Sequence, residues 1–477
     1  MSTSIRVRFA PSPTGFMHLG SVRIALLNYI FARQKQGTFI LRIEDTDASR
    51  NLDQAKARIV QDLAWLGLTY DEGPGKGGPY GPYSQSERND IYQKHLQELG
   101  ASCKIYRCFC TAEQLETKRQ KQQAMGKPPR YDRTCLGLSD DKIKSKLAAA
   151  MPFVWRFKLN QDQIIQIQDL ARGTITFELK HFSDFAITRA DGTCTFMFVN
   201  FIDDWLMNIS HVIRGEDHLT NTALQAALYD AFAVKQPLFW HLQIICNAAG
   251  EKLSKRDFGF SLEDLKDAGY LPEAINNYMT TVGASFAQEV QSLPELVKSY
   301  NFSNIHTTGA IRYDVDKLTW FNHKWVDRIS PSELFVHAKP FLHEAYPQSA
   351  SLSDQTASDL LQRVKSDIKT FKDIKPALHF YFETPDVELA ALAKAFGDDH
   401  CGIITHIFKE NSNGLDNGDV FLQAIKDAGK AKEINTKIMF SSLRYLLTGR
   451  FEGVGMHELL SILGTAECKK RLERALK

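Results

Sequence analysis

The sequence predicts an α/β protein whose N-terminal part contains a parallel β-sheet and whose C-terminal part is entirely helical. Near the N-terminus, apolar residues follow first the two-residue period of a strand and then the 3.6-residue period of a helix, and this order repeats. A strand–helix–strand–helix order is typical of a parallel sheet covered by helices. After about residue 330 the 477-residue chain shows no strand pattern, so we expect only helices there.

The elements of the first half follow one another closely. Apolar periodicity predicts strands at residues 5–9 and 38–43 and helices at 24–31, 52–66 and 85–99. These elements would form the first half of the parallel sheet with its covering helices.

The pattern changes after residue 101. A short strand at 105–110 is followed by a polar helix that Thr111 and Gln114 open as a capping box. Residues 153–159 and 175–179 alternate between apolar and polar side chains, which is typical of half-buried antiparallel strands. We therefore expect an inserted α+β domain between the two halves of the sheet.

The chain then returns to the sheet. Residues 187–201 are predicted to form a hairpin-like pair of strands that turns at Asp191 and Gly192. Further strands are expected at 209–213 and 238–246, and only helices after Ser261. The predicted domains are 1–104 and 187–260 (the two halves of the sheet domain), 105–186 (the insertion), and 261–328 and 329–477 (two helical domains).

Composition excludes several classes of protein. The formal net charge is +2, so a nucleic-acid partner would have to bind to local basic patches. No apolar run reaches the length of a membrane span, and we expect neither a membrane anchor nor a signal peptide. The eight cysteines are scattered, which favours a reduced, cytoplasmic setting.

Two loops carry residues suited to binding phosphate. Residues 10–20 form a Pro/Gly loop between a strand and a helix N-terminus, where free backbone N–H groups attract anions. His18 adds a side-chain donor, and Gly20 lets a ligand approach the backbone. Taken alone, this stretch fits an ordinary connection equally well. The second loop, residues 250–256, is basic, and alone it would be read as a solvated surface.

Together the two loops resemble the nucleotide-binding motifs of class I aminoacyl-tRNA synthetases. His18-Leu19-Gly20-Ser21 corresponds to the His-Ile-Gly-His motif, and Lys252-Leu253-Ser254-Lys255-Arg256 to the Lys-Met-Ser-Lys-Ser motif. Further sequence segments resemble those of the bacterial glutamyl-tRNA synthetases. They comprise residues 11–15, 42–47 and 212–218, together with Asp316, Lys317, Leu318, Trp320 and Asn322. Several separated motifs in the right order make chance agreement very improbable.

The resemblance implies a fold and a set of site residues. It implies a Rossmann-like catalytic domain, an inserted domain for the tRNA acceptor end, a stem-contact domain and an anticodon-binding domain. It assigns the action on the phosphates to His18, Gly20, Lys252 and Lys255. The full ATP-binding set is Pro11, Gly15, His18, Gly20, Ser21, His218, Lys252, Ser254, Lys255 and Arg256.

The resemblance also implies a glutamate site. Its residues would be Arg8, Ser12, Glu44, Phe196, Asn200 and Arg214. A buried arginine suits this task because its planar fork contacts a carboxylate at two points. The alternative for Arg214 is a strand-end arginine paired with Glu216 or Asp217. Phe196 departs from the family, which often has a tyrosine there, so the substrate would lack one hydroxyl contact.

A zinc site is a further expectation for the inserted domain. Cys108, Cys110 and Cys135, with Tyr131 as a fourth ligand, resemble the zinc ligands of some bacterial relatives. No histidine follows the third cysteine, where some relatives have one. Three reduced thiols without a metal remain an alternative.

The resemblance therefore implies a glutamate–tRNA ligase that uses ATP and Mg²⁺, and we expect it to act as a monomer. It would form glutamyl-adenylate and esterify the 3′-terminal adenosine of tRNA-Glu. The alternatives are a paralogue that glutamylates tRNA-Gln or modifies a tRNA base, a catalytically inactive RNA-binding relative, and a small-molecule nucleotidyltransferase. The long helical C-terminal part argues against the base-modifying paralogue and the nucleotidyltransferase, and the intact motifs argue against the inactive relative.

Overall fold

The structure is a computed structural model that describes residues 4–13, 15–46, 52–284, 286–302 and 310–477. Thr14 and Asp47 of the motifs lie outside these residues. The chain divides into two compact units. The first comprises the described residues up to Asp264 together with Asn276–Val315, and the second comprises Leu265–Ile275 and Asp316–Lys477.

The first unit contains the strands. They are β1 (Arg6–Phe9), β2 (Thr38–Leu41), β3 (Ile105–Cys108), β4 (Val154–Phe157), β5 (Ile164–Asp169), β6 (Gly173–Glu178), β7 (Phe185–Ala186), β8 (His211–Gly215), β9 (Leu238–Leu242), β10 (Ile245–Cys246) and β11 (Ile311–Arg312). Strands β1 and β2, β8 and β9, and β10 and β11 pair in parallel. The predicted parallel sheet is therefore confirmed.

Helices cover these strands or connect them along the chain. They are α1 (Leu19–Gln34), α2 (Leu52–Trp65), α3 (Asn89–Ala101), α4 (Ala112–Ala124), α5 (Asp140–Ala148), α6 (Phe196–Leu206), α7 (Leu219–Ala231), α8 (Leu262–Asp267), α9 (Pro272–Thr281) and α10 (Leu293–Ser299). Helices α8 and α9 each span a boundary between the two units.

Strand β5 joins two kinds of pairing in one sheet. It pairs antiparallel with β6 along its whole length and in parallel with β9, where Asp169 faces Phe239. The order of this sheet is β6-β5-β9-β8. A separate antiparallel sheet, β3-β4-β7, is formed by residues of the predicted insertion. The domain boundaries themselves stay a prediction.

Three local expectations from the sequence were wrong. Only helices were expected after Ser261, but Ile311–Arg312 form strand β11. The predicted hairpin at 187–201 is only a bridge between Thr188 and Cys194, and helix α6 begins at Phe196. All residues from Phe198 to Asp204 are buried, so the helix has no exposed polar face, and its polar residues Asn200, Asp203 and Asp204 point inward. The strand expected at 238–246 is interrupted after Leu242, and β10 pairs with β11 instead.

The second unit is helical throughout its described residues, as predicted. Its further helices are α11 (Val315–Arg328), α12 (Pro331–Ala345), α13 (Asp354–Arg363), α14 (Ile374–Phe382), α15 (Leu389–Phe396), α16 (Asp398–Asn411), α17 (Gly418–Ala431), α18 (Thr436–Thr448) and α19 (Met456–Ala475). None of the helices described in either unit combines the length and apolarity needed to cross a membrane.

Candidate active site

The motif at residues 18–21 contacts the segment that follows the motif at residues 252–256. His18 and Ser261 form an isolated antiparallel bridge, and Leu19 donates its backbone N–H to Phe260 O at 3.0 Å. The His18 imidazole stacks on the Phe260 ring, with 5.4 Å between the centroids. The residues that contact His18 and Leu19 follow the basic loop 252–256 closely in the chain, so the loop lies near His18 in the folded protein, although more than two hundred residues separate them in sequence.

His18 is the N-cap of helix α1. Its Nδ1 accepts the backbone N–H of Ser21 at 3.1 Å, so the ring proton belongs on Nε2. Partial desolvation and the charge of Lys252 lower the pKa of His18, which leaves the ring neutral at pH 7 and able to donate. A Cβ on Gly20 would lie 3.0 Å from His18 Nδ1, so glycine leaves room for the imidazole.

The basic loop reaches the site through its first lysine. Lys252 Nζ lies 3.0 Å from Asp217 Oδ2, and both side chains are largely exposed. Ser254 donates its backbone N–H and its hydroxyl to Asp257. Lys255 and Arg256 are exposed on the turn that follows. An exposed turn of this kind can change its position without breaking a packed core.

A cavity of about 700 Å³ brings most of the predicted residues together. From the predicted ATP and glutamate sets it is lined by Arg8, Pro11, Ser12, Gly15, His18, Ser21, Glu44, Phe196, Asn200, Arg214, His218 and Lys252. Four predicted residues do not line it: Gly20, Ser254, Lys255 and Arg256.

Arg8 and Arg42 share one carboxylate behind the cavity. Arg8 Nε lies 3.0 Å from Asp204 Oδ1, and Arg42 Nη1 lies 2.7 Å from the same oxygen. The neighbouring Asp203 accepts hydrogen bonds from Arg88, Gln85 and the Tyr92 hydroxyl. Arg42 also approaches Glu44, so both arginines have carboxylate partners.

Arg214 has no carboxylate partner among the described residues. Its Nη2 donates to Thr222 Oγ1 at 2.6 Å and to Gln225 Oε1 at 2.7 Å. Its Nε is buried without an acceptor, and Nη1 makes no hydrogen bond within the described part of the chain. Burial, followed by the charge of Arg8, lowers the pKa of Arg214 to about 10. The alternative pairing with Glu216 or Asp217 is therefore not formed.

The buried arginines around the cavity differ in their partners. Arg8, Arg42 and Arg88 each contact the carboxylate of Asp203 or Asp204. Arg214 makes no such contact among the described residues. Because a buried unpaired charge is costly, the cavity is built to receive an anion.

Glu44 and Asn200 form the acidic side of the cavity. Asn200 Nδ2 donates to Glu44 Oε1 at 2.6 Å, and Asn200 Oδ1 accepts from Gln225 Nε2 at 2.9 Å. Arg42 Nη2 approaches the same Glu44 oxygen at 3.3 Å. No described residue donates a hydrogen bond to the second Glu44 oxygen, which can accept from a cation. Burial raises the pKa of Glu44, and the charge of Arg42 opposes this effect.

His218 and Phe196 lie against each other at the cavity. Their ring centroids are 5.6 Å apart, and Phe196 is the first residue of α6. Burial and the charge of Arg214 lower the pKa of His218 to about 4, so this ring is neutral at pH 7. Phe196 offers no hydrogen bond to a ligand.

Sequence reasoning missed several residues of this site. They are Arg42, Arg88, Asp169, Asp203, Asp204, Thr222, Gln225 and His241. Arg42 belongs to the motif at residues 42–47. Asp203 and Asp204 are adjacent carboxylates in an apolar run, and this pattern indicates buried charges that need partners. Nothing local in the sequence connects Thr222, Gln225 or His241 with Arg214.

The four predicted zinc ligands converge in the first unit. The Sγ atoms of Cys108, Cys110 and Cys135 lie within 4.8 Å of one another, and Cys110 Sγ is 3.6 Å from Cys135 Sγ. The Tyr131 hydroxyl lies 3.2 Å from Cys108 Sγ and 3.9 Å from Cys110 Sγ. With bonds of about 2.3 Å to sulfur and about 2.0 Å to oxygen, a tetrahedral zinc ion separates its ligands by similar distances. The donor set therefore fits zinc.

Comparison with known proteins gives a consistent result along the whole chain. Residues 4–325 match the family model of the catalytic domain of class I tRNA synthetases (E and Q), and residues 333–476 match an anticodon-binding domain. A glutamate–tRNA ligase of Sulfurihydrogenibium sp. is 37% identical over 478 residues, covering 99% of each chain. One of Geobacillus stearothermophilus is 37% identical over 487 residues, covering 100% of this chain and 99% of the other.

Solved structures agree. A glutamate tRNA ligase from Elizabethkingia meningosepticum, crystallised with its amino acid, superimposes with a TM-score of 0.86 at 33% identity. A glutamate-tRNA synthetase from Elizabethkingia anophelis gives a TM-score of 0.87 at 32% identity. Each comparison covers 99% of both chains. The chain therefore belongs to the class I tRNA synthetases of the glutamate and glutamine (E and Q) type.

Proposed function

We propose that this protein is a glutamate–tRNA ligase. It activates L-glutamate with ATP to form glutamyl-adenylate and pyrophosphate, and it then transfers the glutamyl group to the 3′-terminal adenosine of tRNA-Glu. The observation that carries this proposal is the buried Arg214 guanidinium, which has no carboxylate partner among the described residues and lines the same cavity as His18 and Lys252. Its Nη1, which has no acceptor among those residues, suits an acidic side chain because a carboxylate accepts a charged hydrogen bond.

Glutamate is held by charges of both signs. Arg214 receives the side-chain carboxylate, and Arg8 lies near the α-carboxylate. The free oxygen of Glu44 accepts the α-ammonium group, with Ser12 beside it and Asn200 orienting the carboxylate. Glutamine would place an amide NH₂ against the donors of Arg214, which disfavours it. Because Phe196 supplies no hydroxyl, a water molecule takes that position in the substrate complex.

ATP binds at the other end of the cavity. Neutral His18 and the backbone around Gly15 and Gly20 contact the phosphates, and Lys252 is the cation nearest to them. Attack of the glutamate carboxylate on the α-phosphate brings like charges together, so placed donors and cations lower the barrier. Mg²⁺ accompanies the nucleotide and neutralises part of its charge.

Lys255 acts only after the basic loop moves inward. It is exposed in the structure, whereas Lys252 already lies at the cavity, paired with Asp217. We expect ATP to draw Ser254, Lys255 and Arg256 toward the leaving pyrophosphate, because the triphosphate adds several negative charges to the cavity.

Zinc and tRNA complete the proposal. Cys108, Cys110, Tyr131 and Cys135 would hold a zinc ion that stabilises the segment around β3. The segment 105–186 would hold the acceptor end, and the second unit would read the anticodon. The second unit has a cavity lined by Arg444, Arg450 and Asp367, among others, and single-stranded bases bind to charged and apolar surfaces of this kind.

A charging assay tests the proposal. Purified tRNA-Glu and tRNA-Gln are incubated separately with the protein, ATP, Mg²⁺ and radiolabelled glutamate, with glutamine as the competing amino acid. We expect glutamyl-tRNA-Glu to form and glutaminyl-tRNA not to form. Charging of tRNA-Gln with glutamate would favour the paralogue, and no charging of either tRNA would favour the inactive relative. Light scattering checks the expectation that the protein acts as a monomer.

A further inference from the structure

A continuous hydrogen-bonded chain lies behind Arg214. Thr222 Oγ1 accepts Arg214 Nη2 at 2.6 Å and lies 2.7 Å from His241 Nε2, and His241 Nδ1 lies 2.7 Å from Asp169 Oδ2. The side chains of His241 and Asp169 are fully buried, and Thr222 is fully buried as well. The chain thus runs from the cavity to the end of strand β5 without meeting solvent.

The charge states of the last two members follow from their surroundings. Asp169 accepts the backbone N–H groups of His241, Ala171 and Arg172. Burial raises the pKa of Asp169, but the hydrogen bonds from His241 and the backbone outweigh it and leave the pKa below its usual value. Burial lowers the pKa of His241 despite the opposing effect of Asp169. An ionised carboxylate therefore faces a neutral imidazole.

This arrangement determines the tautomer of His241 and the direction of the Thr222 hydroxyl. The carboxylate can only accept, so His241 carries its proton on Nδ1 and presents Nε2 as an acceptor. Thr222 must then donate its single proton to Nε2, although His218 O also lies 3.1 Å away. The lone pairs of the hydroxyl are left for Arg214, which can only donate.

We propose that Asp169, His241 and Thr222 are positioning residues that anchor Nη2 of Arg214, so that Nη1 is held toward the cavity as the donor for the substrate carboxylate. Gln225 anchors the same nitrogen but is also tied to Asn200. Without the threonine acceptor, Gln225 alone holds Nη2, and the guanidinium can turn so that Nη1 no longer faces the substrate carboxylate. This inference rests on the proposed function.

The chain also connects the amino-acid site with strand β5, which belongs to the segment predicted as an insertion. Asp169 is the last residue of β5, beside β9. Arg172, three residues later, forms an ion pair with Glu216 just after β8. Glu216 also accepts the backbone N–H of Ile244 at 3.0 Å. The end of β5 is thus attached to β9 through His241 and to the residue that follows β8 through Glu216.

Substitutions at Thr222 test the proposal. Thr222→Val keeps the shape and removes the hydroxyl, and Thr222→Ser keeps the hydroxyl. In steady-state aminoacylation with full-length protein and tRNA-Glu, we expect Thr222→Val to raise the KM for glutamate about tenfold or more, since a hydrogen bond to a charged group is lost. The KM for ATP should change less than about twofold, because the ATP end of the cavity is untouched. Thr222→Ser should restore most of the glutamate affinity.

The matched control is Thr220→Val, an exposed threonine on the same helix, which should leave all constants unchanged. If Thr222→Val does not fold, Thr222→Ala removes the same hydroxyl at a position where alanine favours the helix. Equal changes of the KM values for glutamate and ATP would overturn the proposal, and so would a glutamate KM within twofold of the wild type.

A double-mutant cycle tests the far end of the chain. Asp169→Asn removes the charge that determines the His241 tautomer, and we expect it to raise the glutamate KM severalfold. If Asp169 acts through Thr222, combining Asp169→Asn with Thr222→Val should give no larger effect than Thr222→Val alone. Effects that multiply would refute the relay. Failure of the wild type to charge glutamate would instead refute the proposed function, so the two failures are distinguishable.

Discussion

Replacing Arg214 by glutamine is the most direct test of the amino-acid site. Nη1 of Arg214 makes no hydrogen bond among the described residues, and Arg214 lines the cavity, so we expect Nη1 to donate a charged hydrogen bond to the substrate carboxylate. A bond of this kind contributes roughly 1.5–3 kcal/mol. Its loss corresponds to a fall in kcat/KM for glutamate of roughly tenfold to a hundredfold.

The charge of Arg214 adds to this expectation. Arg214→Gln removes a buried cation that has no carboxylate partner among the described residues, so the substrate carboxylate would enter the cavity without that charge. Arg214→Lys keeps the charge and loses the planar fork, so we expect a smaller loss than for glutamine. This pair of variants separates the contribution of charge from that of geometry.

The assay is steady-state aminoacylation of tRNA-Glu with glutamate or ATP varied in turn. We expect the constants for glutamate to change far more than the KM for ATP, because His18 and Lys252 are untouched. Equal losses for glutamate and ATP would contradict the role assigned to Arg214. A fall of less than tenfold in kcat/KM for glutamate would do so as well.

Three further predictions concern the loop, the thiols and a histidine. Lys255→Ala should abolish tRNA-dependent ATP–pyrophosphate exchange and leave tRNA affinity nearly intact. The exposed control Lys235→Ala should leave both the exchange and the tRNA affinity unchanged. Unchanged exchange in Lys255→Ala would remove Lys255 from the mechanism. Freshly purified protein should contain about one equivalent of zinc. Cys135→Ser should lose the zinc and lower the Tm, whereas Cys103→Ser, at an exposed cysteine, should change neither. Less than about half an equivalent of zinc in the wild type would favour free thiols. The pKa of His218 is lowered from 6.5 to about 4, so the unfolded chain binds the extra proton between these values. The wild type should therefore lose stability as the pH falls from 6.5 toward 4. Measured by thermal unfolding, this loss should be steeper in the wild type than in His218→Gln. Identical slopes would show that His218 does not carry this dependence.

Much of the fold was predictable because its signals are local. The strand–loop–helix around residues 6–34 and the capping box at Thr111 and Gln114 are confirmed, since their periods and caps involve neighbours in the chain. Helix α6 was misread as part of a hairpin because it is apolar around most of its surface. Short apolar runs of this kind fit both periods.

The site was predictable only in part for a related reason. A loop that exposes backbone N–H groups to a phosphate is built from adjacent residues, and His18 and Lys252 could therefore be named from their motifs. The partners that orient Arg8 and Arg214 could not. Arg8 and Asp204 are separated by 196 positions, and His241 and Asp169 by 72. Pairing at such separations depends on how strands and helices pack.

The sequence by itself determined the family, most strands and helices of the first hundred residues, and the motifs expected to contact the phosphates, because each of these lies in a contiguous stretch. Only the tertiary structure decided which arginine stays without a carboxylate, which lysine already faces the cavity and which buried groups stand behind Arg214. The physical reason is that a buried charge is defined by what surrounds it, and those surroundings are assembled from distant parts of the chain.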